Sequence, residues 1–172
     1  GGFGNLGDNT TNDRSSPVVV VGSHSFDKYA GIYYHSMALK SNGNVMTWGY
    51  NQIGVLGDNT TDYKSSPVAV VGDHSFVDIL GKLDVSETYY GLFGLKSNGQ
   101  LWSWGGNTNG HLGVGVTFRK SSPVAVVGGH VFKNTIGLKT NDTAWLWGGN
   151  NYGILGDNTT SNKSSPTAVV GG

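Results

Sequence analysis

The feature that most constrains this chain is its similarity to itself. The hexapeptide LGDNTT begins at Leu6, Leu56 and Leu155, and a degenerate copy, LGVGVT, begins at Leu112, so successive spacings are 50, 56 and 43 residues. Two further markers keep the same step. Pro17, Pro67, Pro123 and Pro166 each close a Ser-Ser-Pro triplet, and Trp48, Trp104 and Trp147 each precede a glycine. A unit of roughly fifty residues cannot bury an apolar face by itself, so the sequence demands an architecture of stacked copies.

Subtracting positions locates the rigid and the variable parts of the unit. Trp to Pro is 19 residues in all three complete copies, and the leucine of LKS or LKT (Leu39, Leu95, Leu138) always precedes the tryptophan by 9. Phe26 to Leu39 is 13, Phe76 to Leu95 is 19 and Phe132 to Leu138 is 6, so insertion and deletion fall there.

Alternating apolar residues in HSMALK and NVMTWG flank Ser41-Asn42-Gly43, the pattern of a hairpin with Asn-Gly in a tight primed turn. Asn98-Gly99 repeats the signal, and Asn141-Asp142 is a weaker form of it. Pro67 is expected to open a strand in PVAVV, because the first position need not donate to the ladder. KYAGIYY supplies a fourth strand. Four short strands per unit, with no run long enough at helical period, predict an all-β fold. The expected form is a partial β-propeller of about three and a half four-stranded antiparallel blades.

The segment YHSMALKSNGNVMTWGYNQIGVLGDNTTDYKSSPVAVVG resembles one repeat of the regulator of chromosome condensation family, and the likeness recurs over nearly the whole chain. The resemblance implies a seven-bladed propeller in complete members. It also implies an alternative function, since eukaryotic members promote guanine-nucleotide exchange on the Ran GTPase and bind nucleosomes. The chain has too few blades, and no basic tail, to carry those contacts over residue by residue.

The expected organisation is one repeat domain over 1–172. A partial blade spans 1–22, a blade 23–72, a blade with an insertion at 81–91 spans 73–128, and a shortened blade spans 129–172. There are four Trp-Gly-to-Ser-Ser-Pro halves and three LKS halves, and the chain starts at Gly1 in mid-motif, so it reads as a processed or truncated product. Open blades leave sheet edges and apolar faces in water, which predicts completion by further copies or by the rest of a longer parent chain.

Composition narrows the partners. Lys plus Arg and Asp plus Glu are 11 each and no stretch concentrates one sign, which argues against nucleic acid. No apolar run approaches the ~18 residues that a membrane helix needs, so no membrane insertion is expected. With no cysteine, disulfides and thiolate metal sites are ruled out.

Candidate sites are few. His24, His74 and His130 hold one repeat position on separate blades and cannot cluster as metal ligands, while His35 and His111 lack a carboxylate at acid–base spacing. Asp8, Asp58 and Asp157 offer one acid per loop, too little charge for calcium, and read as turn formers. Trp102 and Trp145, two residues before Trp104 and Trp147, share their face and are expected to fill the space between blades. Leu56, Leu112 and Leu155, with Pro67, Pro123 and Pro166, complete the structural repeat positions. No catalytic, metal or cofactor site is expected.

Recognition is assigned to the insertion GKLDVSETYYG at 81–91, which concentrates Lys82, Asp84, Glu87, Tyr89 and Tyr90 in a chain poor in charge. The expected function is a non-enzymatic structural or protein-interaction module in a larger extracellular, cell-surface or virion assembly. A glycan partner stays open. Asn-X-Ser/Thr triplets at Asn9, Asn59, Asn141, Asn158 and Asn162 would accept glycans in a secreting host.

Overall fold

The computed structural model describes residues 2–82, 91–134 and 137–170. Among the described residues there is no helix, and ten strands form three antiparallel sheets. The first sheet runs in chain order β1 (Lys28–Ile32), β2 (His35–Leu39), β3 (Val45–Gly49) and β4 (Lys64–Ala69). The second repeats it as β5 (Asp78–Lys82), β6 (Gly91–Leu95), β7 (Leu101–Gly105) and β8 (Lys120–Ala125). The third keeps only β9 (Trp145–Gly148) and β10 (Lys163–Ala168), with single bridges at Phe132–Lys139 and Leu138–Ala144 where the seven-residue deletion falls. No strand forms among residues 2–22. This is a partial β-propeller.

Two local expectations need correction. The β2–β3 hairpin is not closed by a two-residue primed turn. The Lys40 carbonyl accepts from Gly43 N–H and Lys40 N–H donates to the Asn44 carbonyl, with φ +84° at Gly43 and no positive φ at Asn42. That is a three-residue loop ending in a left-handed glycine, and Asp142 (φ +65°) takes the glycine's place in the third unit. Nor does proline open its strand. Pro67, Pro123 and Pro166 are each the fourth residue of β4, β8 and β10. They sit where the register slips: Thr47 faces Val68 and Gly49 faces Lys64, so three residues oppose Trp48. The same slip recurs opposite Trp104 and Trp147. An outer strand with a bulge has no ladder hydrogen bond for proline to break.

The core lies between the sheets. Trp48, Trp104 and Trp147 are buried, as are Leu56, Leu112 and Leu155. One cluster joins Met37, Leu39 and Val45 of the first sheet, Val55 and Leu56 of its outer loop, and Ile79, Leu92 and Trp104 of the second. A second cluster joins Phe93, Leu95 and Leu101 to Phe132 and Trp147 of the third unit, with Trp145 packed against it. Trp102 packs against the first cluster.

Neighbouring units are clasped by backbone. Asn9 N–H donates to the Ser65 carbonyl (2.9 Å), Asn59 to Ser121 (2.8 Å) and Gly115 to Ser164 (2.7 Å), each joining the LGDNTT-type loop of one unit to the outer strand of the next. Asn9, Asn59 and Gly115 are all left-handed, which turns the N–H outward. The tryptophan of the next unit donates its indole N–H back: Trp48 to the Asn5 carbonyl (3.0 Å) and Trp147 to that of His111 (2.8 Å).

A glycine seats each clasp. A methyl group on Gly54 would lie 2.7 Å from Ser121 Cα, whereas on Gly153 the nearest atom, Thr159 O, would be 3.7 Å away. Both glycines are left-handed, so alanine costs either of them about 1–2 kcal/mol. Gly54→Ala adds a collision with backbone, and in urea unfolding it should lose at least about 1 kcal/mol more than Gly153→Ala. Equal losses would mean that the loop is not seated on its neighbour.

Candidate functional site

The loops that carry the clasps are organised by a residue that the repeat spacings do not single out. Asn51, Asn107 and Asn150, three positions after each tryptophan, are buried. Asn51 Oδ1 accepts from Leu56 N–H (2.9 Å), while its Nδ2 donates to Asp58 Oδ1 (3.1 Å) and the Thr60 carbonyl (3.1 Å). Asn150 does the same with Leu155, Asp157 and Thr159. Asn107 reaches Leu112 N–H and the Val116 and Phe118 carbonyls, which replaces the aspartate missing at Val114. The signal was present in Trp-Gly-X-Asn, but its partners lie up to eleven residues on. Asp157 is held down to about 2: burial pushes it up, and hydrogen bonds from Thr159, Lys163 and Asn150 outweigh that. These aspartates brace turns.

The histidines are placed for packing. His74 lies 4.2 Å from the Trp102 ring with Lys96 over that ring at 4.6 Å, and His130, Trp145 and Lys139 repeat the column at 4.3 and 4.7 Å. Burial first, then the lysine charge, lowers both histidine pKa values. Among the described residues no group of three or more His, Asp or Glu is placed to hold a metal ion, and no helix is long and apolar enough to cross a membrane.

The aromatic surface lies at one end of the first sheet. Phe3, from the first half-unit, is ringed edge-on by Tyr34 (4.7 Å), Tyr63 (5.4 Å) and Tyr50 (5.5 Å), and Tyr33 packs on Tyr34 at 4.2 Å. Tyr33, Tyr34 and Tyr63 stay exposed. Tyr33 is held at φ +47° in the β1–β2 turn, a strained setting for a bulky side chain. Tyr50 is half-buried and donates to Gln52 Oε1, and burial, with Tyr63 beside it, pushes its pKa up. The next unit continues the surface: Arg119 donates to the Gln52 carbonyl (3.4 Å), and Phe118 beside it is exposed.

The insertion at 81–91 leaves from this same end. Lys28 Nζ meets Asp78 Oδ1 at 2.7 Å, so β1 and β5 start side by side and run together. Lys82 at the end of β5 faces Gly91 at the start of β6, as Ile32 faces His35 on either side of the Tyr33–Tyr34 turn. Asp84, Glu87, Tyr89 and Tyr90 lie outside the described residues, as does the side chain of Lys82, whose backbone closes β5. In sequence Tyr89-Tyr90 immediately precede β6 as Tyr33-Tyr34 precede β2.

Models of the regulator of chromosome condensation (RCC1) repeat match residues 30–54 and 98–133. The repeats over those residues match that family. Similar solved structures agree on the fold. Human WBSCR16 superposes with a TM-score of 0.73 at 19% identity, over 97% of this chain and 45% of its own. Yeast RCC1 (Prp20), solved with Kap60, gives 0.68 at 18% identity over 85% and 37%. Prp20p of Saccharomyces cerevisiae, described with its binding to Gsp1p and histones, gives 0.61 at 18% identity over 85% and 38%. The chain thus spans less than half the length of each of these three proteins.

His35, at the start of β2 beside this aromatic end, is buried, and desolvation lowers its pKa to about 4. The unfolded imidazole titrates near 6.5, so between about 6.5 and 4 the unfolded chain takes a proton that the folded chain refuses. Stability should fall through that window by roughly 3 kcal/mol, reaching its full loss below it. Unfolding free energies measured across it should slope for the wild type and flatten for His35→Met. An unchanged slope would remove this assignment.

Proposed function

We propose that this RCC1-repeat chain is a non-enzymatic interaction module whose partner is a protein bound at the aromatic end of the first two blades. The observation that carries the reading is the Phe3 cluster: four tyrosines gathered around one phenylalanine, three of them exposed, with Phe118 and Arg119 alongside. Tyrosine and arginine supply large contact area with polar tips and are enriched where proteins bind. In this reading the insertion holding Lys82, Asp84, Glu87, Tyr89 and Tyr90 adds to the same surface, a reading supported by the end of β5 at Lys82 and the start of β6 at Gly91. An extracellular, cell-surface or virion setting completes the proposal. It draws on the exposed Asn-X-Ser/Thr triplets at Asn9, Asn59, Asn141, Asn158 and Asn162.

Guanine-nucleotide exchange is the second reading. It rests on the fold shared with yeast RCC1 and would appear as accelerated nucleotide release from a Ran-type GTPase. The two readings separate in one set of proteins. A partner captured by the wild type from its native source should bind Tyr34→Ser/Tyr63→Ser at least about tenfold more weakly. Circular dichroism should show this variant folded as the wild type is. Undiminished binding by the double variant would overturn the site.

A further inference from the structure

At the end of the sheets away from the tyrosines, each joint is lined by the hairpin of one unit and the corner that leads into the next. Phe76 N–H donates to the Gly43 carbonyl (2.9 Å) and Phe132 N–H to that of Gly99 (2.8 Å). The corner changes its charge from unit to unit. Ser23 and Asp27 of the first become Asp73 and Val77 of the second, then Gly129 and Lys133 of the third, while Asp78 of the second becomes Asn134. The third corner has therefore lost the carboxylates of the second and gained a cation.

Two cavities open between that corner and the β6–β7 hairpin, and they meet at Asn98 and Val131. One, of about 360 Å³, is bordered by Lys96, Ser97, Lys133 and Thr140 and walled by Leu95 and Phe132. The other, of about 440 Å³, runs past Gln100, Val126, Gly129 and His130. Together they make one groove across a joint whose two sides are both present. Its apolar walls include Val77 and Val131, which are exposed.

The charges around this groove are unevenly spent. Asp78, beside Val77, is paired with Lys28 at 2.7 Å, and Asp142 is paired with Lys133. Lys96 and Lys139 rest on the Trp102 and Trp145 rings, at 4.6 and 4.7 Å, and among the described residues neither reaches a carboxylate. The Lys133–Asp142 pair is exposed on both sides, so it is worth little and opens readily to another anion. In a chain of formal net charge +0, this is a local positive site. We propose that the groove binds an extended acidic segment of a partner protein. A carboxylate of that segment sits between Lys96 and Lys133, within reach of the Ser97 and Thr140 hydroxyls and the Asn98 amide, and small apolar side chains cover Val77 and Val131. This surface is independent of the tyrosines, because the β6–β7 hairpin and the β5–β6 connection lie at opposite ends of β6.

The test is titration of the full 172-residue chain into a fluorescein-labelled Ala-Glu-Val-Glu-Ala peptide, followed by polarisation. The wild type should bind with a dissociation constant below about 1 mM, and more weakly as salt is raised. The glutamine counterpart of the peptide should bind at least about tenfold more weakly. Gly129→Asp/Lys133→Val, which gives the third corner the residues of the second, should lose at least about tenfold as well. The fold accepts this change: Asp73 stands at φ +48° where Gly129 stands at +61°, and a Cβ on Gly129 meets nothing within 4 Å. Circular dichroism confirms that the variant is folded. Tyr34→Ser/Tyr63→Ser should bind the peptide as the wild type does, so this site and the tyrosine surface stand or fall separately. No binding at about 1 mM, or equal binding of the glutamine peptide or by the corner variant, would overturn the proposal. So would free glutamate that displaces the peptide at the peptide's own concentration, since the groove would then add nothing to a single carboxylate.

Discussion

Each blade of this chain depends on a peptide group that belongs to its neighbour. The sheets are short and strongly bulged at their outer strands, and a four-stranded sheet has two faces to cover. Covering comes from the loop of the unit before, fixed by one backbone hydrogen bond to a serine carbonyl and, at Trp48 and Trp147, by an indole bond in return. These polar bonds do not supply the bulk of the stability, which comes from burying Trp104, Leu92, Phe93 and their neighbours between sheets. They set the register in which that burial occurs. Glycine at the seat and a left-handed residue at the donor are what allow two backbones to approach so closely.

The repeat step and the Trp-to-Pro distance were legible because they recur without insertion, and they lead directly to a stacked all-β fold. Legibility failed where the sequence signal is shared by two geometries. Asn42-Gly43 suits both a primed turn and a turn closed by a left-handed glycine, and only Lys40 and Asn44, which extend the hairpin by a pair, decide between them. Pro67 read as a strand opener because its missing donor was visible and the bulge opposite Trp48 was not. Asn51, Asn107 and Asn150 were invisible as clamps because their partners lie five to eleven residues away on a curved loop. The tyrosine surface was not legible, because Phe3, Tyr34, Tyr50 and Tyr63 come from four segments that only folding brings together. Tyr89 and Tyr90, which drew attention as part of an insertion, lie outside the described residues.

That assembly from separate segments makes the aromatic end a reporter of the stack as well as the surface proposed for recognition. Phe3 comes from one unit, Tyr33, Tyr34, Tyr50 and Tyr63 from the next, and Arg119 from the one after, so the patch exists only when three units are seated in order. A rigid scaffold with variable connections at one end suits recognition, since the strands fix where the loops start and leave their contents free to change.

Amide hydrogen exchange in dilute solution tests the clasp most directly. Asn9, Asn59 and Asn158 occupy one position of the same hexapeptide, LGDNTT, and Gly115 that of its degenerate copy, and Asn158 differs from Asn9 and Asn59 in having no serine carbonyl opposite. The account predicts slow exchange at Asn9, Asn59 and Gly115 and fast exchange at Asn158. Four equal rates would contradict it, because the loops would then hold their shape without holding their neighbours.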